Sequence, residues 1–350
     1  MTTPTLPLRR LLAAGAKKSA QVWGTAEALG AAFGMLIEGD GGLSRKQPYL
    51  PAKEADTPFV LEGDLGNIDP VDFAPAFTMR YDPGALGILI AQLFATAGAP
   101  SEVATGYAHI LKWAEENYGE FATFAVERAS KIFEVASAKP HMLDLNIGDG
   151  LLKGTIGLRG NTLINTSAVN TETQMDALTY ADRANRVKFS HLSVYMVDQD
   201  LAADPDTTAA LELSDISLHF ERPHDAEHKA GSESIIEPAE NAHSIITVTM
   251  KFPRMNAVNA AHFAKFIAET EKKAYVWFTG NLLPGDAVQH YELQFYFPRL
   301  RITSIDYPFD EIVPGTIVLQ AEEAAANPDG FGFAIPYVRI VNKRSTDYLA

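Results

Sequence analysis

The chain has 350 residues, 47% hydrophobic and 21% charged, with no cysteine and a formal net charge of −15. That balance excludes bulk disorder, disulfides, thiolate metal sites and cysteine nucleophiles, and the negative charge argues against nonspecific nucleic-acid binding through phosphates. The length is that of two domains rather than one, and the lack of cysteine fits a reducing cytosol or a particle assembled there.

Residues 1–20 read as a basic N-terminal arm carrying Arg9, Arg10, Lys17 and Lys18. The apolar run between these charges, Leu11 to Ala16, is too short for the centre of a signal peptide. A first domain over 21–165 opens at Trp23-Gly24-Thr25. Met35 to Glu38 predicts a strand, and Gly39-Asp40-Gly41-Gly42 a tight turn. Leu43 to about Asp64 is a long irregular connection with Pro48, Pro51 and Pro58.

Phe73 to Tyr81 predicts a strand leading into a helix started by Asp82 and Pro83. Leu86, Leu89, Ile90, Leu93, Phe94 and Ala97 have the spacing of a buried helix stripe. Pro83 to Pro100 is uncharged and close to the minimum length of a membrane span, but its Gly and Ala content and bounding prolines favour a buried helix. Strand patterns follow over Tyr107–Trp113, Phe121–Arg128, Lys131–Ala136, Met142–Ile147 and Leu151–Leu158.

A polar junction over 166–185 separates a second domain, 186–343, from the first, and residues 344–350 form a short polar tail. In the second domain strands are predicted from Val187 to Val194, Leu211 to Phe220 and Ile245 to Phe252, with a polar connection over 223–240. A helix over 257–270, begun at Asn256, places Ala260, Phe263, Ala264 and Ile267 on its buried face and His262, Lys265 and Glu269 on the other. Strands over Tyr275–Thr279, Tyr291–Phe297, Leu300–Asp306, Gly315–Gln320 and Tyr337–Val341 complete it.

The two domains share patterns in the same order. Phe77-Thr78-Met79-Arg80-Tyr81 matches Val248-Thr249-Met250-Lys251-Phe252, each ahead of a helix. Asp40, Leu43 and Pro48 match Asp215, Leu218 and Pro223 at one constant spacing, Val126-Glu127-Arg128 matches Phe297-Pro298-Arg299, and Gly154-Thr155-Ile156 matches Gly315-Thr316-Ile317. The simplest account is an internal duplication of a mainly β domain, a β-sandwich or half-barrel with one flanking helix.

No motif for chemistry stands out. Gly148-Asp149-Gly150 is a turn, and Lys153-Gly154-Thr155 has the wrong order and setting for a phosphate loop. His219, Glu221, His224, Asp225, Glu227 and His228 form the densest group of ligand-type residues, but Pro223 and Gly231 place most of it in a loop. No Gly-x-Ser-x-Gly elbow is present, the carboxylates are scattered, and the sequon Asn165-Thr166-Ser167 has no meaning without secretion. No catalytic, cofactor-binding or metal-ligating residue is assigned.

With Trp23-Gly24-Thr25, Asp40-Gly41-Gly42-Leu43, the Thr78–Tyr81 strand, Val126-Glu127-Arg128 and Gly154-Thr155-Ile156-Gly157-Leu158 in that order, the chain resembles the major tail tube proteins of long-tailed bacteriophages in their two-domain form. The likeness spans about residues 20–343. It implies a virion protein without enzymatic activity, cofactor or membrane contact, assembled in the bacterial cytoplasm. Trimeric rings of sixfold pseudo-symmetry would stack into a tube. Tail terminator and baseplate or tail-tip proteins would be its partners, with the tape measure protein and DNA passing through the lumen.

Two alternatives stand beside this expectation. One is a carbohydrate- or receptor-binding β-sandwich of a phage baseplate or a secreted particle, with Trp113, Trp277, Tyr291 and Tyr296 as candidate aromatics. The other is a metal-dependent hydrolase using the His224 region.

Overall fold

The computed structural model describes residues 13–19, 22–51, 63–128, 131–180, 184–254, 257–306 and 315–350, with backbone only at 13, 257–260 and 263. The first half contains β1 (Ala13–Lys18), β2 (Gly34–Leu36), β3 (Tyr49–Pro51), β4 (Gly63–Leu65), β5 (Val71–Phe73), β6 (Ala76–Thr78), α1 (Ala85–Phe94), β7 (Ser101–Val103), β8 (Gly106–Lys112), β9 (Ala122–Arg128), β10 (Lys131–Ile147), β11 (Lys153–Gly160) and β12 (Leu163–Ile164). After α2 (Glu172–Asp176), the second half contains β13 (Leu192–Asp198), β14 (Asp215–Glu221), β15 (His224–Asp225), β16 (Ala239–Glu240), β17 (Ile245–Phe252), α3 (Ala257–Ile267), β18 (Lys272–Leu282), β19 (His290–Asp306), β20 (Gly315–Glu322) and β21 (Tyr337–Asn342). The fold is mainly β and antiparallel, and no helix among the described residues is long and apolar enough to cross a membrane.

One sheet runs through both halves in the order β5/β6, β11, β10, β14, β17, β20, β19, with β5 and β6 end to end along β11. Its inner face is apolar, with Leu143 and Leu145, Leu218 and Phe220, Val248 and Met250, and Ile317 and Leu319 all buried. Against this face lies a second layer, which in the first half is β2–β1–β9–β10–β12. In the second half it is β13–β18–β19–β21–β8, whose last strand comes from the first half.

β10 and β19 are shared by both layers. Each was expected as two strands, and each is one strand of 17 residues. Pro140 and Pro298 lie in the gaps between the expected strands. Both instead sit at ladder irregularities, where a missing N–H is tolerated and the strand bends from one sheet into the other.

The ladders of the halves run in parallel. Val135 faces Phe124 and, past a bulge, Ala138 faces Ala122; Phe297 faces Ala274 and Leu300 faces Lys272 likewise. Leu143 and Asp144 face Ile156 and Thr155, as Ile305 and Asp306 face Ile317 and Thr316. The Gly154 and Gly315 match therefore agrees with the register. Other matches do not. Val126–Arg128 ends β9, whereas 297–299 lies inside β19. Phe77, not Tyr81, takes the place of Phe252, since Phe77 faces Gly154 and Phe252 faces Gly315.

Several expectations at the edges of the fold are corrected. Within the expected arm, Ala13–Lys18 is β1, paired on both sides. Its Ala-Gly-Ala pattern carries no period because space is short: a Cβ on Gly15 would lie 2.8 Å from the Leu29 side chain. Arg9 and Arg10 lie outside the described residues. Val187–Val194 is not one strand, because a 3-10 turn over Phe189–His191 precedes β13. The expected tail is docked, with Tyr348 buried beside α1.

α1 is capped by Gly84 without a side-chain bond, so Asp82 does not act as the cap. On α3 the buried face is rotated from the expected one: His262 is buried against Phe252 and Phe266 packs on the core, while Ala264 and Ile267 are exposed along with Glu269. Asn256 lies outside the described residues, as do the side chains of Ala260 and Phe263.

The Gly39–Gly42 turn forms as expected. Gly41 has φ of 70°, and a Cβ there would lie 2.0 Å from the Ala74 carbonyl carbon. Gly41→Ala is therefore expected to cost more than about 1 kcal/mol, read as a lowered thermal midpoint.

Candidate functional surface

The outer face of the continuous sheet is polar from end to end, because residues alternate sides along each strand. It carries Asp72, Lys153, Arg159, Asp144, Asn146, Ser217, His219, Glu221, Thr247, Lys251, Gln320, Arg301 and Asp306. Its cations are neutralised in place. Lys153 Nζ lies 3.0 Å from Glu38, Arg159 Nε donates to Asp72 at 2.8 Å, Lys251 lies 3.6 Å from Asp215, and Arg301 lies 3.0 Å from Glu271. A polyanion approaching this face meets paired cations and additional carboxylates, and so few phosphate partners.

The halves meet at β10 and β14, where Asp144 faces His219 and Met142 faces Glu221. His219 Nδ1 lies 2.6 Å from Asp144 and Nε2 3.2 Å from Glu221, and these carboxylates raise its pKa.

Behind this ladder, Arg222 is fully buried. Its Nε donates to the Leu93 carbonyl at 2.7 Å, one terminal nitrogen to the Ala114 carbonyl at 2.7 Å, and the other to Glu240 at 2.8 Å. Its guanidinium lies 4.2 Å over Trp113. Phe94 and Trp113 of the first half pack on Phe220, which packs on Phe295. The connection 223–240 lies over the first half, with Glu237 bonded to Lys139 at 2.7 Å, the Ile235 carbonyl accepting from Trp23, and Ile68 donating to the Glu233 carbonyl.

At the far end of the sheet, residues 301–306 of β19 have β20 on one side and, among the described residues, no strand on the other. At the near end, Gly41 to Lys46 runs beside β5 without forming a ladder: Ala74 donates to the Gly41 carbonyl and Asp69 to that of Lys46. Ser44, Arg45 and Lys46 are exposed, and beside them a cavity of about 460 Å³ is lined by Leu43, Arg45, Arg128, Phe133 and Leu163. The β3–β4 hairpin projects Tyr49, Leu50 and Leu65, each more than half exposed.

The other candidates resolve into structure. Trp113, Tyr291 and Tyr296 are buried, and Trp277 stacks on Tyr275 at 4.8 Å, so these aromatics are largely committed to packing. Among the described residues no group of three or more His, Asp or Glu could hold a metal. His224 bonds Asn117, His228 bonds the Ile68 carbonyl and His219 points to the outer face, so the sequence cluster is dispersed. Alternating strand geometry separates residues that sequence proximity had grouped. The β19 edge was not legible, because its counterpart in β10 is paired with β14 and nothing in the local pattern of 301–306 marks the difference.

The histidines set the pH response. Burial lowers His224 to about 3 and His262 to about 4, so both stay neutral in the fold. An unfolded imidazole titrates near ~6.5, so the unfolded chain binds more protons below that pH. Stability then falls toward pH 4, by roughly 1.4 kcal/mol per unit and buried histidine. His219 acts oppositely: its raised pKa gives stability present below ~6.5 and lost as pH rises through the folded value. A urea midpoint lower at pH 5 than at pH 7 is expected, with a steeper loss in His219→Gln.

No protein-family model matches the chain, and no curated protein matches it significantly.

Proposed function

We propose that this chain is a structural tube protein, a tandem duplication of one β fold that polymerises into stacked rings around a channel of the kind found in phage tails. The observation that carries this reading is the sheet that runs through both halves and, among the described residues, is open at its two ends. Such a sheet is a segment of a ring wall, because repeated head-to-tail addition satisfies both edges. The parallel ladders of β10 and β19 support duplication, and three such chains would supply six copies of the fold.

The outer face suits a lumen for DNA. Its cations are held by carboxylates, and the net charge of −15 opposes phosphate contacts. In this reading the chain performs no chemistry and binds itself, tail terminator and baseplate proteins, while the tape measure protein and DNA traverse the channel. Its place is the virion.

Electron microscopy of the purified protein tests the reading. Hollow filaments with three chains per ring are expected. Protein that stays monomeric at high concentration, or rings of six whole chains, would count against it.

The β3–β4 hairpin is the segment placed to reach a neighbour. The long connections 43–64 and 223–240, equivalent in the sequence, are both candidates for contacts between rings; deleting Ala52–Asp56, which lies outside the described residues, should leave a folded monomer that forms no tubes. The same test falls on Tyr49, Leu50 and Leu65 replaced together by serine. The variant should fold and lose tubes. The connection 223–240 was expected to reach out in the same way, but it is bound to its own first half.

A further inference from the structure

We propose that the joint within the chain is the template for a joint between copies, so that the Gly41–Lys46 segment of one chain pairs with the 301–306 edge of the next. This rests on the tube reading and names the residues that close the ring.

The register makes the correspondence specific. β5 and β6 occupy along β11 the place of β17 along β20: Ala76 faces Thr155 as Lys251 faces Thr316, and Phe73 faces Leu158 as Val248 faces Leu319. Along the sequence the same spacing carries Leu43 onto Leu218, both buried, Ser44 onto His219 and Lys46 onto Glu221, while the contacts Gly39–Ala76, Ala74–Gly41 and Asp69–Lys46 set the free segment one residue out of that register, a shift that pairing with the next copy would remove. On the other side, Asp144 corresponds to Asp306 and Met142 to Ser304. Since Asp144 faces His219 and Met142 faces Glu221 within the chain, Ser44 then faces Asp306, and Lys46 faces Ser304, between chains. Arg45 and Lys46 bring positive charge to Asp306, as His219 does to Asp144.

The packing beneath the strands has its counterpart too. Within the chain, Phe94 at the end of α1, with Trp113, fills the space beside Phe220 and Phe295. Phe133 holds in β10 the register position that Phe295 holds in β19, and it is only half-buried beside the open cavity. Ile267 ends α3 and is 68% exposed. The geometry seats Ile267 of one copy in the cavity of the next, an apolar side chain against Leu43, Phe133 and Leu163. The β3–β4 hairpin then lies over the neighbour's second half, as 223–240 lies over the first half of its own chain.

The chain contains no cysteine, so disulfide trapping reads the joint directly. Lys46→Cys and Ser304→Cys together should give, on oxidation, covalent dimers and closed trimers from most chains, and each single variant should give none. Met142→Cys with Glu221→Cys is the intrachain standard and should link without raising the mass. Ile267→Asp, at an exposed position, should stay folded and lose the oligomers.

Rings or tubes that assemble without the 46–304 link overturn this joint and leave the tube reading standing. Linked chains that build no hollow filament keep the joint and overturn the tube. A double variant and a parent chain that are both monomeric at high concentration overturn both.

Discussion

Replacing Arg222 by alanine is expected to lower folding stability by about 3–5 kcal/mol, the largest loss from any charged side chain in the fold. Arg222 belongs to the second half, but its acceptors at Leu93 and Ala114 and its aromatic partner Trp113 belong to the first. Removing the guanidinium leaves those carbonyls without their side-chain donor and Glu240 with only the Asn117 N–H, and buried unsatisfied acceptors are costly. Arg222→Lys should recover little, because an ammonium cannot span the fork of acceptors. Arg301→Ala, on the exposed sheet face, should cost under about 1 kcal/mol. Urea midpoints measure all three. A loss under about 1 kcal/mol for Arg222→Ala would show that the halves hold together without it.

Tyr348→Ala is expected to cost about 3–5 kcal/mol, although it lies two positions before Ala350. Its ring fills the space above Gly87, where a Cβ would lie 2.2 Å from Tyr348 Cε1, and its hydroxyl accepts from Asn342 at 2.9 Å. Arg344 lies 4.6 Å over the ring. Its burial makes the hydroxyl harder to ionise. Truncation before Arg344 should cost a similar amount, read by thermal denaturation, and leave an apolar slot along α1. Unchanged stability would mean that the C-terminal segment is dispensable to the core.

The sequence reading reached the strands whose pattern is purely local. β17 falls where alternation places it, and α1 lies within the expected helix, since Ile88, Leu89 and Phe94 must leave water. Periodicity failed where small residues or prolines obscure it, as in β1 and in the bends of β10 and β19. On α3 it erred for a different reason. The most apolar stripe was assigned inward, yet His262 packs on Phe252 while Ile267 faces out. Hydrophobicity gives the preference to be covered, and it does not say by which chain.

By itself, the sequence determined the class of fold and the place of strands such as β17, because alternation and turn glycines are written along the chain, and its match of Gly154 with Gly315 agrees with the ladders. Only the tertiary structure decided that the halves share one sheet, that Arg222 closes their joint, and that 301–306 has, among the described residues, β20 on one side and no strand on the other. These depend on which distant strands hydrogen-bond. Main-chain N–H and C=O groups are the same in every residue, so the choice among edges follows from how the apolar faces pack rather than from side-chain pattern along the chain. That 301–306 has a strand on one side only, among the described residues, is thus a property of the folded chain.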